Sequence, residues 1–239
     1  MTWKNNVMQS FDTKSAYYDK NCNIQKIIAQ SLAADFPDAD GCLDILEIGC
    51  GTGNLTAHLL DKYKGSNFRI TDVSASMIDQ AKGKFSDENI CWSVMDGENP
   101  DKSSTYDLIV SSMSFQWFED INKTVESLCS MLNPKGVLLY SMPGNNSFLE
   151  WKQVLKGLEL PLGIIDFPRS SNIYRDEVIM HQYDDALDFL RSMKNIGAGT
   201  AKKNYVPLNH AELKRACGAL DQNHGAEITW HVLYGRVDN

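Results

Sequence analysis

No C-x-x-C pair and no histidine-rich partner for cysteine occurs in the chain, so neither a structural zinc nor a disulfide framework is implied. The six cysteines (Cys22, Cys42, Cys50, Cys91, Cys129, Cys217) are scattered and read as reduced, mostly buried thiols, and no metal ligand set is assigned. Long hydrophobic runs are missing as well, which argues against a membrane protein. The amino terminus, Met1-Thr2-Trp3-Lys4-Asn5-Asn6, lacks the apolar stretch and small-residue cleavage pattern of a secretory signal, so a cytoplasmic location is expected. Positive charge is in deficit, with 23 Lys and Arg against 31 Asp and Glu and a net charge of −8. A general nucleic-acid binder needs the opposite balance to neutralise phosphates. Any acidic partner would have to find a confined basic patch.

What is present suits one domain with a sizeable core: 239 residues, of which 43% are hydrophobic. Helical spacing of Tyr17, Ile24, Ile27, Ile28 and Leu32 predicts an amino-terminal helix between Thr13 and Phe36. A strand from Leu43 to Ile48 then meets a glycine cluster and a helix. Further strands are predicted at Phe68–Val73, Ile90–Met95, Tyr106–Ser112 and Val137–Met142, the last after an Asn133-Pro134-Lys135-Gly136 turn. Helices are predicted at Ser76–Phe85 and Ile121–Leu132. Beyond Pro143 come an aromatic helix from Phe148 to Leu158, a loop-rich stretch from Pro161 to Arg175, strands at Val178–Tyr183 and Glu227–Gly235, and helices at Ala186–Ile196 and Ala211–Leu220. This alternation predicts an α/β fold: a doubly wound, Rossmann-like, mostly parallel sheet of about seven strands, the last antiparallel, with helices on both faces and a helical lid. The expected division is a single domain over 1–239, with a helical cap at 1–40, a ligand-binding core at 41–142, a lid insertion at 143–177 and a substrate-side part at 178–239.

The strongest local motif is Leu46-Glu47-Ile48-Gly49-Cys50-Gly51-Thr52-Gly53-Asn54. Glycine at alternate positions permits positive φ and lets a ligand lie directly on the backbone, although a purely structural turn is also compatible. The G-x-G-x-G spacing differs from the G-x-G-x-x-G of dinucleotide folds, which argues against a nicotinamide dehydrogenase. Asp72 ends the next strand about 20 residues on, where a carboxylate accepts ribose hydroxyls; Ser74 is better placed as the helix N-cap. Met95-Asp96-Gly97 follows the third strand, with Asp96 suited to an adenine amino group, or to a simple turn, while Met95 or Val73 packs on the ring. Spacing alone thus supports an adenosine-like ligand.

Together these elements resemble the class I S-adenosylmethionine-dependent methyltransferases over roughly residues 43 to 142. The resemblance implies that S-adenosylmethionine is the cofactor, leaving as S-adenosylhomocysteine. It puts Glu47, Gly49, Cys50, Gly51, Gly53, Asp72, Val73, Met77, Met95, Asp96, Gly97, Ser111 and Ser112 around it. A closer resemblance lies in the flanks: Phe11, Ala16-Tyr17-Tyr18-Asp19, Asn23-Ile24-Gln25, Phe115-Gln116-Trp117, Tyr183-Asp184-Asp185-Ala186, the run from Leu190 to Ala198, and Thr229 to Gly235. These are similar to the malonyl-acyl-carrier-protein O-methyltransferases of biotin synthesis. Thr13 stands where that family commonly has a basic residue, with Lys14 displaced by one, and the segment between Pro143 and Tyr183 is shorter than in many relatives.

That resemblance implies methylation of the free carboxylate of a malonyl thioester carried by acyl carrier protein. A quinone precursor or small carboxylic acid as acceptor, or a non-catalytic cofactor-binding subunit, are the alternatives. A carboxylate is already ionised at neutral pH, so no general base is required, and none of His58, His181, His210, His224 and His231 is assigned a chemical role. The site must instead strip water from the anion and align it. Arg191 and Lys194, three apart beside the apolar stripe of Leu187, Leu190 and Met193, are the candidate catalytic cations, with Arg191 first for the malonyl carboxylate; snorkelling from a core helix is the alternative. Tyr18 is placed near the methionine end of the cofactor, and Phe115, Gln116 and Trp117 with Arg191 around the acceptor. Arg169, Arg175, Arg191, Lys194, Lys202 and Lys203 are the candidates for a carrier-docking patch.

Overall fold

The computed structural model describes residues 9, 11–13, 22–85, 89–195, 202 and 205–239. Tyr17 and Tyr18, residues 196–198 and Lys203 lie outside the described residues, so the expectations placed on them are not taken further.

Seven strands form one sheet in the order β3-β2-β1-β4-β5-β7-β6. They are β1 (Asp44–Ile48), β2 (Asn67–Asp72), β3 (Ile90–Val94), β4 (Tyr106–Ser112), β5 (Leu132–Pro143), β6 (Ile173–Gln182) and β7 (Glu227–Asp238). The helices are α1 (Asn23–Ala33), α2 (Asn54–Lys62), α3 (Ala75–Lys82), α4 (Ile121–Cys129), α5 (Leu149–Gly157), α6 (Ala186–Asn195) and α7 (His210–His224), with a 3₁₀ turn at Phe115–Trp117. β1 pairs in parallel with both β2 and β4, and only β7 runs antiparallel to its neighbours β5 and β6.

Side chains alternate between two cores, as a pleated sheet covered on both faces requires. Ile45, Leu108, Val110, Val137 and Leu139 face a larger core with α1, α2, α3, α5, α6 and α7. Leu46, Ile109, Leu138 and Tyr140 face a smaller one closed by the 3₁₀ turn and α4. Because the chain leaves β1 toward β2 on one side and returns to β4 on the other, the carboxyl ends of β1 and β4 flank a crevice. Open α/β sheets bind ligands at such a switch point.

Three predicted boundaries move. The helix expected from Thr13 to Phe36 is observed as α1, which begins at Asn23 and ends at Ala33. The Asn133-Pro134-Lys135-Gly136 segment is not a turn ahead of a strand but an irregularity inside β5. Its pairing with β4 jumps from Tyr106↔Leu132 to Leu108↔Val137. Lys135 carries a positive φ of 67° there, and a Cβ on Gly136 would lie 2.8 Å from the Asn133 carbonyl oxygen, so only glycine fits the fold-back. β6 starts at Ile173, within the stretch assigned to the lid, because alternate residues from 173 to 182 are half-buried and exposed in strict succession, the signature of an edge strand. Of the cysteines, Cys22, Cys50 and Cys217 are buried, whereas Cys42 and Cys91 are exposed, which corrects the expectation of mostly buried thiols.

Candidate active site

The glycine cluster forms the β1–α2 turn, and the three glycines do different work there. Gly49, Gly51 and Gly53 all have positive φ. At Gly49 an added Cβ would meet Ser114 Oγ at 2.1 Å, so this residue lets the turn pass close under the β4 loop. Gly53 is the N-cap of α2 and lies against the Phe85 ring.

Asp72 closes the loop from β2. Its Oδ2 accepts from the Gly51 amide at 2.8 Å and its Oδ1 from the Ser74 amide at 2.8 Å. The carboxylate also lines the cavity, where it can accept from a ligand hydroxyl. Ser74 caps α3, accepting from the Met77 amide at 3.1 Å, which separates the capping role from the ligand role. Burial pushes the Asp72 carboxyl up to about 6, against the pull of the backbone amides of Ser74 and Gly51. Glu47, on β1, is 1% exposed and accepts from Thr56 Oγ1 at 2.6 Å. Burial raises its carboxyl to about 8, the Thr56 hydroxyl partly opposing and nearby Asp72 adding to the rise. Among the described residues no cation pairs with either buried carboxyl, so the site gains from a positively charged ligand.

These groups line a cavity of about 340 Å³ at the switch point. Of the residues expected around an adenosyl cofactor, the structure brings together Glu47, Gly49, Cys50, Gly51, Asp72, Val73, Met77, Met95, Asp96, Gly97 and Ser112 on its wall. Asp96 accepts from the Glu98 amide at 3.1 Å and from Asn99 Nδ2 at 3.0 Å, which fixes its carboxylate at the wall. A Cβ on Gly97 would fall 2.5 Å from Ile48 Cγ2, so glycine lets the β3 loop close against β1. Gly53 and Ser111 do not line this cavity: the first caps α2, and the second is fully buried with its hydroxyl donating to the Ile48 carbonyl at 2.8 Å.

A second cavity, of about 520 Å³, adjoins the first. Four residues, Phe11, Gln25, Met113 and Trp117, line both. Met113 follows β4 with a positive φ of 55°; its amide donates to the Ser141 carbonyl at 2.9 Å, and its carbonyl accepts from Gln116 Nε2 at 2.6 Å. The remaining wall is apolar: Phe148 and Trp151 on and beside α5, residues 163–165 and Phe167 of the lid, Phe189, Leu190 and Met193 of α6, and Trp230 of β7. Lys194 is the one charged side chain among the described lining residues.

Several expectations are redrawn here. Phe115 does not wall the acceptor cavity. The 3₁₀ turn points it the other way, into the smaller core, where it is 0% exposed and stacks on Tyr140 with centroids 4.5 Å apart. Gln116 and Trp117 do line the cavity. Arg191 is exposed and lines neither cavity, while Lys194 on the next turn does, so the helix phase separates the two cations. Arg175 is no free docking cation either: it pairs with Asp35 and Glu177 and lies 3.7 Å over the Tyr234 ring. Lys202 pairs with Asp166 at 3.0 Å. The residue that sequence reasoning left without a role is Gln25. Its signal was available, because it is a polar residue on the buried stripe of α1 formed with Ile24, Ile28, Ala29 and Leu32.

Residues 46–138 match a family model described as a methyltransferase domain. A malonyl-[acyl-carrier protein] O-methyltransferase of Magnetococcus marinus is 32% identical over 235 residues, covering 91% of this chain and 87% of its own. This chain belongs to the malonyl-[acyl-carrier protein] O-methyltransferase family. It is an enzyme of the S-adenosylmethionine-dependent class. A biotin biosynthesis bifunctional protein of Bordetella avium is 30% identical over 96% of this chain, which spans 51% of that longer protein. Among solved structures, the N-methyltransferase NodS of Bradyrhizobium japonicum, in complex with S-adenosylhomocysteine, shares the fold at a TM-score of 0.51 and 17% identity, with 98% of each chain covered. No helix among the described residues is long and apolar enough to cross a membrane.

Proposed function

We propose that this methyltransferase esterifies the free carboxylate of a malonyl thioester borne by acyl carrier protein, as the name of its Magnetococcus marinus relative describes, within biotin synthesis. The observation that carries this reading is the meeting of two unlike cavities: one edged by three carboxyls, the other mostly apolar with Lys194 as the single cation among its described lining residues.

The cofactor-side residues fit S-adenosylmethionine. Asp72 would take the ribose hydroxyls and Asp96 the adenine amino group. The Gly49–Gly51 backbone allows close approach, and Glu47 offers a buried carboxyl whose ionisation the cofactor's positive charge would favour. Bound there, the cofactor supplies an electrophilic methyl group on a sulfonium. The chain's own task is then geometric and dielectric. The shared wall of Phe11, Met113 and Trp117 excludes water at the place where the carboxylate must arrive, which raises its nucleophilicity. Aligning the two reactants contributes much of the rate. Lys194 draws the anion into an otherwise apolar cavity without lining the cofactor cavity, so it does not neutralise the nucleophile at the point of transfer. No residue has to remove a proton, since the acceptor is already ionised.

In the same reading the chain acts as one methyltransferase unit in the cytoplasm, and its acidic carrier partner docks on exposed cations near the acceptor cavity, Arg191 and Arg169 among them. The deciding experiment offers the protein labelled cofactor with malonyl-carrier, malonyl-coenzyme A or acetyl-carrier. Label should pass to the malonyl thioesters and not to the acetyl one. Absence of transfer to any malonyl substrate, in protein shown to bind cofactor, would reject the proposal.

A further inference from the structure

Gln25 occupies an unusual place. It sits on the buried face of α1, is 6% exposed, and lines both cavities where they join. Its carboxamide oxygen is buried and has no hydrogen-bond partner. Its NH₂ is not shielded in the same way and makes no hydrogen bond to a described residue, so it is free to donate into the junction.

We infer that Gln25 is the neutral hydrogen-bond donor that seats the acceptor carboxylate at the junction of the two cavities. The charges around it favour this occupant. The cofactor cavity already holds Glu47, Asp72 and Asp96, all suited to the hydroxyl, amino and cationic parts of a bound adenosyl sulfonium. None of the described residues lining that cavity is a cation, so among them an anionic acceptor reaching the transfer point meets no side-chain counter-ion. A fixed Arg or Lys at this point would hold the carboxylate but withdraw charge from the attacking oxygen. A carboxamide orients the anion through one N–H and leaves its charge in place, while Phe11, Met113 and Trp117 keep water out. The division of labour is then clear: Lys194 attracts the acceptor from the far wall and Gln25 fixes its reacting end.

The inference rests on a malonyl thioester being the acceptor, and malonyl-coenzyme A serves as the probe. Gln25→Leu should lower kcat/KM for malonyl-coenzyme A roughly 10- to 150-fold, the range for losing one hydrogen bond to an ionised group. The dissociation constant of S-adenosylhomocysteine should change less than about threefold. Gln25→Glu places a second carboxylate against the acceptor, so its activity relative to wild type should be lowest at pH 8 and recover toward pH 5.5, where the introduced carboxyl regains a proton to donate. That relative pH profile is a readout a packing role would not move, and it decides the matter even if the leucine variant fails to fold. The inference is overturned if Gln25→Leu stays within twofold of wild type, if the glutamate variant shows no recovery at low pH, or if cofactor-product affinity falls by the same factor as kcat/KM. A wild-type protein that binds cofactor yet methylates no malonyl thioester would sink the acceptor assignment itself. An active wild type with an indifferent Gln25→Leu sinks only the role of Gln25.

Discussion

Phe115 separates a core residue from a substrate-pocket residue more sharply than any other position, because the next two residues, Gln116 and Trp117, line the acceptor cavity and it does not. Its ring is fully buried, stacks on Tyr140 at 4.5 Å with planes 21° apart, and touches Phe118 at 4.8 Å. Truncation to alanine removes a buried aromatic side chain and leaves a cavity, at about 3–5 kcal/mol. Each lost aromatic pair contributes about 0.5–1.5 kcal/mol of that total. For a domain of this length 1 kcal/mol moves Tm by about 2–4 °C, so Phe115→Ala should melt some ~6–20 °C below wild type. Because the 3₁₀ turn also carries Gln116 and Trp117, the kinetic comparison is better made with Phe115→Leu, which keeps most of the volume and costs about 1–2 kcal/mol. Assayed well below its melting temperature, Phe115→Leu should hold its KM for malonyl-coenzyme A within about threefold of wild type. Trp117→Ala should show the reverse pattern, with a modest Tm change and an acceptor kcat/KM at least about tenfold lower, about 1.4 kcal/mol of lost transition-state stabilisation. Thermal melts and steady-state kinetics on the two variants suffice. An acceptor KM raised tenfold or more in Phe115→Leu, with unchanged melting, would put the ring back in the substrate pocket and refute the assignment.

Two further expectations concern charge. Glu47 and Asp72 are raised by burial to about 8 and about 6 from ordinary values of 4.5 and 3.8, so within those windows the folded chain binds more protons than the unfolded one. Stability of the cofactor-free protein should therefore fall as pH rises from about 4 to 8, and Glu47→Gln should flatten the upper part of that slope. Cofactor carrying positive charge favours ionised Glu47, so binding below pH 8 should release protons. Calorimetry in two buffers of different ionisation heat reads this directly, and a proton count of zero at pH 7 would contradict it. On α6, Lys194→Met should raise the KM for malonyl-coenzyme A by roughly tenfold more than Arg191→Ala, since only the former lines the acceptor cavity. Equal losses would return Arg191 to the site.

The cofactor half was readable in sequence because its parts are local. A glycine turn, an acid at a strand end and an acid in the next loop each sit within a few residues of a strand whose alternation is visible, and the parallel order then gathers them at one edge. The same locality explains the misplacements. Gly53 and Ser111 belong to the right segments but point into the scaffold, and one residue of phase along a turn or strand decides which of two neighbours faces the ligand. Phe115 and Trp117 repeat the lesson across the 3₁₀ turn, as do Arg191 and Lys194 across one turn of α6.

The acceptor half resisted for a different reason. Its wall draws on α1, the β4 loop, α5, the lid, α6 and β7, and no periodicity in any of these reveals that they converge. Convergence depends on β7 entering the sheet between β5 and β6, which carries Trp230 under Phe148 with ring centroids 4.7 Å apart and brings α6 over the crevice. The polar residue on the buried stripe of α1 was one hint, and Gln116, Trp117 and Lys194, singled out through the family resemblance or helix spacing, were others. Since Phe11, Gln25, Met113 and Trp117 bound both cavities, any shift of these side chains when one cavity fills would change the wall of the other. Cofactor and acceptor affinities are then coupled through these four side chains, and coupling of that kind is reciprocal. On that basis acceptor selection would be a property of the cofactor-loaded protein, set where segments distant in sequence meet.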